Sequence, residues 1–358
     1  MKFISEYRNP EIVKNLIHSI QQESKSEIAL MEVCGGHTMA IHKFGIPSLL
    51  PENIKLISGP GCPVCVTSRG FIDHAVALCR RSDVILTTFG DLIRVPGSTS
   101  TLYRERAAGA DVRIVYSPLD AVQIAVENPD KKIVFLGIGF ETTAPGSAAA
   151  IDVAEKKSVK NFFLLSSHKT MPPAMQAIVT EGIRLDGFIC PGHVSTITGT
   201  SIYNFIPEKF NLGCVVAGFE PTDILQSVLM LVKQIESKNT KVEIQYSRAV
   251  KPEGNVKARV LLDQVFELCD DWWRGFGVIP ASGMTLRSKY AAMNALNIEV
   301  EIEPLLEEKG CICGEILKGM KTPKDCKLFG KACTPENPSG SCMVSNEGAC
   351  AAFYRYSK

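Results

Sequence analysis

The chain has 358 residues, 45% of them hydrophobic and 22% charged, with a net charge of +1 at pH 7. That balance fits a globular protein with more than one core, and it excludes a strongly basic nucleic-acid binder or a disordered charged tail. No run of about 18 apolar residues occurs and Met1-Lys-Phe-Ile-Ser-Glu-Tyr-Arg8 has no leader-like apolar segment, so a cytoplasmic protein without membrane contact is expected.

Asn9-Pro10-Glu11 predicts a helix start, with a capping side chain followed by proline at the first helical position. Ile12, Val13, Leu16, Ile17 and Ile20 continue it at helical spacing. Apolar strand candidates then alternate with helix candidates, at 28–33, 54–57, 84–88, 112–116 and 133–138, and again at 162–166, 187–190, 214–217 and 242–246. Short apolar strands separated by helices predict parallel βαβ units with helices on both sheet faces. The expected fold class is α/β, with two parallel-sheet α/β domains facing a cleft and divided near 137–148. The first, 30–140, would carry the Cys34 and Cys62/Cys65 loops, and the second would run over 141–250. After Asp271 the rhythm stops, at the aromatic, glycine-broken Trp272-Trp273-Arg274-Gly-Phe-Gly277. Beyond Glu307 the chain is rich in Cys, Gly, Pro and Lys and needs a metal or cluster to hold it.

The 13 cysteines bear on chemistry, because a cytosolic chain that is dense in thiols uses them for metals or catalysis more often than for disulfides. Cys79 and Cys269 sit in helical patterns and read as packing residues, and Cys190 and Cys214 are scattered singly. Cys62 and Cys65 share the loop Ser58-Gly-Pro-Gly-Cys-Pro-Val-Cys-Val-Thr67, with the two-residue separation of redox pairs and metal half-sites. Ligands in open α/β sheets bind beyond the carboxyl ends of the strands. Unusual residues follow strand candidates repeatedly here: Cys34-Gly-Gly-His37, the Cys62 loop, Glu141-Thr142-Thr143, His168-Lys169, Cys190-Pro-Gly-His193 and Gly218-Phe-Glu220. A thiolate beside an imidazole, as at Cys34 and His37, suits a soft metal such as iron. Each loop also has a plainer reading: a capped glycine turn at Cys34, a helix cap at Thr142 or Thr143, and hydrogen-bonded core histidines at His168 and His193. His42, past Met39, reads as a helix-surface residue.

The tail carries six cysteines, Cys311, Cys313, Cys326, Cys333, Cys342 and Cys350, with no tandem C-x-x-C and no histidine. That argues against an ordinary zinc ribbon, and a [4Fe–4S] cluster on four thiolates with two left over accounts for the count best. Four-sulfur zinc stays open, and spacing alone does not choose the four.

Taken together, these motifs resemble the HypD family of hydrogenase maturation factors. The resemblance runs through Cys34-Gly-Gly-His-Thr, Gly59-Pro-Gly-Cys-Pro-Val-Cys65, Gly139-Phe-Glu-Thr-Thr-Ala-Pro145, His168-Lys-Thr-Met-Pro-Pro173, Pro191-Gly-His-Val-Ser195 and Met343-Val-Ser-Asn-Glu-Gly-Ala-Cys350. It implies two similar α/β domains and a third, [4Fe–4S] domain built from the chain's two ends, 1–29 and 251–358. It implies a metallochaperone that, with the small partner HypC, is the scaffold for the transient Fe(CN)2(CO) unit of [NiFe]-hydrogenase. Cyanide would come from HypE with HypF, and the unit would pass to the hydrogenase large subunit.

Carried over by residue, the resemblance makes Cys34 the iron-holding cysteine with His37 beside it, and Cys62 and Cys65 a redox-active dithiol. Cys313, Cys326, Cys333 and Cys350 would ligate the cluster. Cys342 is a weaker candidate and Cys311 weaker still, and these two could instead form a cluster-adjacent thiol pair. Glu141, Thr142, His168 and His193 would orient the incoming ligand or neutralise its charge. Many members have a second histidine where this chain has Met39. The rival reading is an iron–sulfur thiol–disulfide oxidoreductase acting on a protein disulfide; it leaves the Cys34 loop without a role. A zinc-stapled binding module with no redox role is a further rival.

Overall fold

The computed structural model describes residues 5–306 and 310–357. Met1–Ile4 of the amino-terminal segment, residues 307–309 at the head of the tail, and Lys358 lie outside them. Among the described residues no helix is long and apolar enough to cross a membrane.

The strands are β1 (Ile28–Glu32), β2 (Ile54–Ser58), β3 (Val84–Thr88), β4 (Val112–Ile114), β5 (Lys132–Gly139), β6 (Phe162–Lys169), β7 (Gly187–Pro191), β8 (Gly213–Ala217), β9 (Val242–Ile244), β10 (Phe266–Trp273) and β11 (Gly277–Leu286). They form two sheets, ordered β2-β1-β7-β8-β9 and β10-β11-β6-β5-β3-β4. The first is wholly parallel. The second is parallel from β6 to β4 and antiparallel where the β10–β11 hairpin joins it. Helices on both faces explain why β3, β7 and β8 read as continuous apolar runs, since all their residues are buried.

Sheet membership is interleaved along the chain. Leu30 of β1 pairs with Gly187 of β7, so the first sheet draws on 28–58 and 187–244. The second draws on 84–169 and 266–286. A division near 137–148 therefore separates neither sheet. An apolar strand flanked by helices is compatible with any parallel neighbour, so the local pattern is silent on partnership.

The two ends of the chain also part company. Asn9 accepts from Glu11 N at 2.9 Å and caps the helix Pro10–Glu23. That helix packs with Pro221–Glu236 over the first sheet, where Ile20 shares a core with Ile28, Leu30 and Val228. Residues 256–286 supply a helix and the hairpin to the second sheet. Cys269 consequently lies on strand β10, half-buried, in place of the helix its neighbours suggested. The cysteine-rich tail leans on the main core: Cys313, Ile316, Cys342, Met343, Val344 and Cys350 are buried in the same cluster as Val33, Cys65 and Trp273. A segment with too few apolar residues for a core of its own borrows one.

Candidate functional site

The strand ends β1 and β2 bring two loops together. Cys34 stands at the amino end of the helix Gly35–Lys43, in extended backbone with φ −148°. Gly61 lies against it: Gly35 N donates to Gly61 O at 2.9 Å. Glu32, the last residue of β1, is 1% exposed and accepts from Cys34 N at 3.0 Å and from the Thr38 hydroxyl. Burial pushes its carboxyl up to about 8. Glu347 of the tail packs over Gly35, where a Cβ would fall 2.4 Å from its own. Burial, then the neighbouring Glu347 and Glu32 carboxylates, push the half-buried Cys34 thiol up to about 12.

His37 is fully buried, and Nε2 donates to Gly218 O at 3.0 Å and Ala217 O at 3.2 Å. Nδ1 has no partner, so the ring is the neutral Nε2–H tautomer, and burial takes it down to about 4. Phe219 lies between two imidazoles, its centroid 4.6 Å from His37 and 4.0 Å from His193, both stacked at 24°. A Cβ on Gly36 would sit 3.0 Å from the Phe219 ring and 3.7 Å from Cys34 Sγ. Phe219 is thus a wall of the Cys34 site. The sequence placed Gly218-Phe-Glu220 after a strand but gave it no role.

A second constellation links the Cys62 loop to the tail. Cys65 Sγ lies 2.6 Å from Cys62 Sγ, and both thiols are free. Cys342 hydrogen-bonds Cys313 and Cys65, contacts that lower its thiol to about 6 with help from the Arg274 charge. Burial holds the Cys65 thiol well above its ordinary value. Cys342 therefore stands between the dithiol and Cys313. Cys311 Sγ is 3.3 Å from Cys313 Sγ, and Cys350 hydrogen-bonds Cys313, which raises its thiol. Cys333 Sγ accepts from Ser339 N at 3.3 Å, and Cys326 is half-buried nearby in sequence.

Among the described residues no three His, Cys, Asp or Glu side chains converge on one metal ion. The donor set nevertheless fits an iron–sulfur group in kind, being thiols alone. A cradle is also left open, because a Cβ on Gly340 would meet Cys311 Sγ at 2.6 Å and Cys313 Sγ at 2.7 Å.

Glu141 and His168 belong to a third place, at the ends of β5 and β6. Glu141 accepts from Met171 N at 3.0 Å, its second oxygen has no partner, and burial raises it to about 7. It lines a cavity of about 610 Å³ with Thr170, Pro172, Phe266 and Met284. His168 is a buried imidazole bound to Ser147 Oγ at 2.8 Å, taken down to about 4 by burial. Thr142 is half-buried in the turn before the helix Ala144–Lys156. Thr143 stands at the cap position without a side-chain cap bond. His42, read from sequence as a helix-surface residue, is half-buried, binding Ser357 Oγ at 2.9 Å and packing edge-on against Phe353 of the last helix. Cys190 and Cys214 hydrogen-bond each other inside the first sheet.

The residue that sequence reasoning missed most clearly is Arg274. It is 5% exposed, with Nε donating to Cys65 O and Nη2 to Thr67 O, each at 3.2 Å. A buried arginine after two tryptophans was the available signal.

Comparison with known proteins gives the same family throughout. The profile of HypD, described as the hydrogenase formation hypA family, matches residues 11–357. Hydrogenase maturation factor HypD2 of Bradyrhizobium diazoefficiens is 47% identical over 371 residues, covering 100% of this chain and 97% of the relative. HypD of Azotobacter vinelandii is 47% identical over 369 residues, with the same coverage of 100% and 97%. HypD of Escherichia coli is 45% identical over 369 residues, covering 99% and 98%. The chain belongs to the HypD family of hydrogenase maturation factors.

Proposed function

We propose that the chain is a scaffold and redox protein for assembly of the Fe(CN)2(CO) unit of [NiFe]-hydrogenase. Cys34, together with a thiolate from a HypC-type partner, would hold the iron cargo. The observation that supports this most is the setting of Cys34: a thiol walled by Phe219 and Glu347 and abutted by the Cys62 loop. Cyanide arrives from HypE with HypF in this reading, and the finished unit leaves for the hydrogenase large subunit.

Soft thiolates suit a low-spin iron that carries cyanide and CO. Burial and two acids keep the proton on free Cys34, so its thiolate forms as iron binds and displaces that proton. The neutral His37 and the stacked His193 offer ring nitrogens without placing positive charge beside the iron.

The thiols of the second constellation perform a two-electron exchange. Cys342, as thiolate, attacks Cys65 Sγ of a Cys62–Cys65 disulfide. A Cys342–Cys65 bond forms and Cys62 leaves as thiolate, which takes up a proton. Cys311 then attacks Cys342, a Cys311–Cys342 disulfide forms, and Cys65 is released and takes up the proton that Cys311 gives up. The Cys62/Cys65 pair is reduced and the Cys311/Cys342 pair oxidised. Cys313, whose Sγ is 3.3 Å from Cys311 Sγ, would hold a [4Fe–4S] cluster with Cys326, Cys333 and Cys350. Such a group supplies low-potential single electrons.

Infrared spectroscopy of the anaerobic complex with the HypC-type partner, co-expressed with the other maturation proteins, tests this reading. Metal-bound cyanide and CO bands that vanish in Cys34→Ala support it. A complex that keeps its iron–sulfur chromophore and has no such bands sinks it, in favour of the thiol–disulfide oxidoreductase.

A further inference from the structure

The tip of the β10–β11 hairpin is wedged between the two thiol loops. Trp273 is fully buried, its ring stacked 5.9 Å from Phe140 and its Nε1 donating to Ser282 Oγ at 2.8 Å, so the hairpin is anchored in the core. Lys169, 1% exposed, pairs with Asp271 and donates to Trp272 O at 2.9 Å, which fixes the strand leading into the tip. From that fixed base Arg274 reaches three consecutive carbonyls of the dithiol loop. Its backbone N donates to Val66 O at 3.0 Å, while the guanidinium takes Cys65 O and Thr67 O. On the other side Gly275, at φ +89°, abuts the tail: a Cβ there would fall 2.7 Å from Gly314 Cα, next to Cys313. Neither position tolerates a side chain, because the two backbones already touch. Ser341 closes the same loop from the tail, its Oγ donating to Cys65 O at 2.9 Å beside Cys342.

We propose that Arg274 is a positioning residue for thiol–disulfide exchange, holding the Cys62–Cys65 loop in register with Cys342 and the tail pair it forms with Cys311. The inference rests on the redox reading of those thiols given above. Exchange requires an attacking sulfur in line with the bond it breaks, and small displacements of reacting groups are costly in rate. The planar guanidinium fixes two carbonyls at once, which an ammonium does not do. One hairpin tip therefore sets the spacing of both pairs, from a base anchored outside either loop.

The test follows exchange in the anaerobic full-length protein. A limiting small disulfide oxidises the thiols, and acid quench, alkylation and peptide mass analysis report which pair is oxidised over time. The Cys62/Cys65 midpoint potential is read in glutathione buffers. Arg274→Gln slows transfer between the pairs by about tenfold or more. Arg274→Lys, which keeps the charge and loses the fork, is also slow, with the melting temperature and iron–sulfur chromophore retained. Should Arg274→Gln fail to fold, Ser341→Ala carries the test, since it frees the same carbonyl and slows exchange for the same reason. Wild-type rates and potentials in both Arg274→Lys and Ser341→Ala overturn the proposal. Absence of exchange between the pairs in the wild-type protein instead overturns the redox reading on which it rests.

Discussion

Gly61 and Cys34 touch so closely that a Cβ on Gly61 would fall 2.1 Å from Cys34 N and 2.4 Å from its Cα. The dithiol loop thus forms the floor on which Cys34 rests. Its glycine is dictated by a neighbour distant in sequence, because Gly61 itself has no left-handed backbone angle. Gly61→Ala is expected to push the Cys34 loop away at a cost of about 1–3 kcal/mol. The protein should stay folded and lose iron–cyanide infrared intensity. Unchanged band intensity in a folded Gly61→Ala complex would contradict that dependence.

Phe219→Leu removes the ring that two imidazoles stack on, a loss of about 0.5–1.5 kcal/mol per aromatic contact. His193 is then free to turn, and the wall beside Cys34 Sγ opens to water. The cyanide and CO bands should shift and broaden while melting temperature changes little. Bands with wild-type positions and widths would remove Phe219 from the site.

The thiols of the tail divide by their contacts. Cys342→Ser is expected to retain the iron–sulfur chromophore and to lose reduction of the Cys62–Cys65 disulfide, since Cys342 bridges Cys65 and Cys313. Cys350→Ser should lose the chromophore. Comparing Cys311→Ser with Cys313→Ser assigns the fourth ligand: the one whose loss bleaches the protein holds the cluster, and the other belongs with Cys342. Iron and sulfide content, read beside the absorbance, checks all four variants.

Stability of the protein without iron cargo should fall as pH rises from about 6.5 to 7. Glu32, raised to about 8, and Glu141, raised to about 7, bind protons more tightly folded than unfolded. Each therefore withdraws stability, about 1.4 kcal/mol per pH unit, between its unfolded value and its folded one. His37 and His168, lowered to about 4, act oppositely, adding stability as pH rises from there to the ordinary imidazole value. The two effects oppose each other below about pH 6.5. Above it the Cys342 thiol, lowered to about 6, adds stability as pH rises and offsets one carboxyl, so the net decline ends near pH 7, where Glu141 has lost its proton. Chemical denaturation across that range checks this, and Glu32→Gln should flatten the decline.

Glu347→Gln should increase iron binding near neutral pH if Glu347 acts only through its charge, because losing that neighbour lowers the Cys34 thiol toward its ordinary value. Anaerobic ferrous titration at two pH values gives the answer. A loss of binding would instead make Glu347 a direct ligand.

Much of the site was legible because its residues are locally exceptional. Cysteine, histidine and glycine gathered after strand ends, at Cys34, Cys62 and His193, mark a ligand-binding edge wherever the strands go. What contacts cross the chain was not legible. Arg274 reads as one basic residue after two tryptophans, and only folding puts it on the carbonyls of Cys65 and Thr67. Glu347 lies in a motif beside Cys350, yet its neighbour in space is Gly35. The hairpin was hidden as well, because a solvated edge strand such as Phe266–Trp273 mixes acidic and apolar residues.

The sequence by itself determined the α/β class, the apolar strands, the capped first helix, the cysteine- and histidine-bearing loops and the family. Each of these is written in nearest-neighbour pattern or in a run of residues that can be matched directly. The tertiary structure decided which strands share a sheet, where the amino-terminal helix packs, and that Cys342 stands between Cys65 and Cys313. These depend on burial and backbone pairing between segments far apart in the chain, for which local periodicity carries no address.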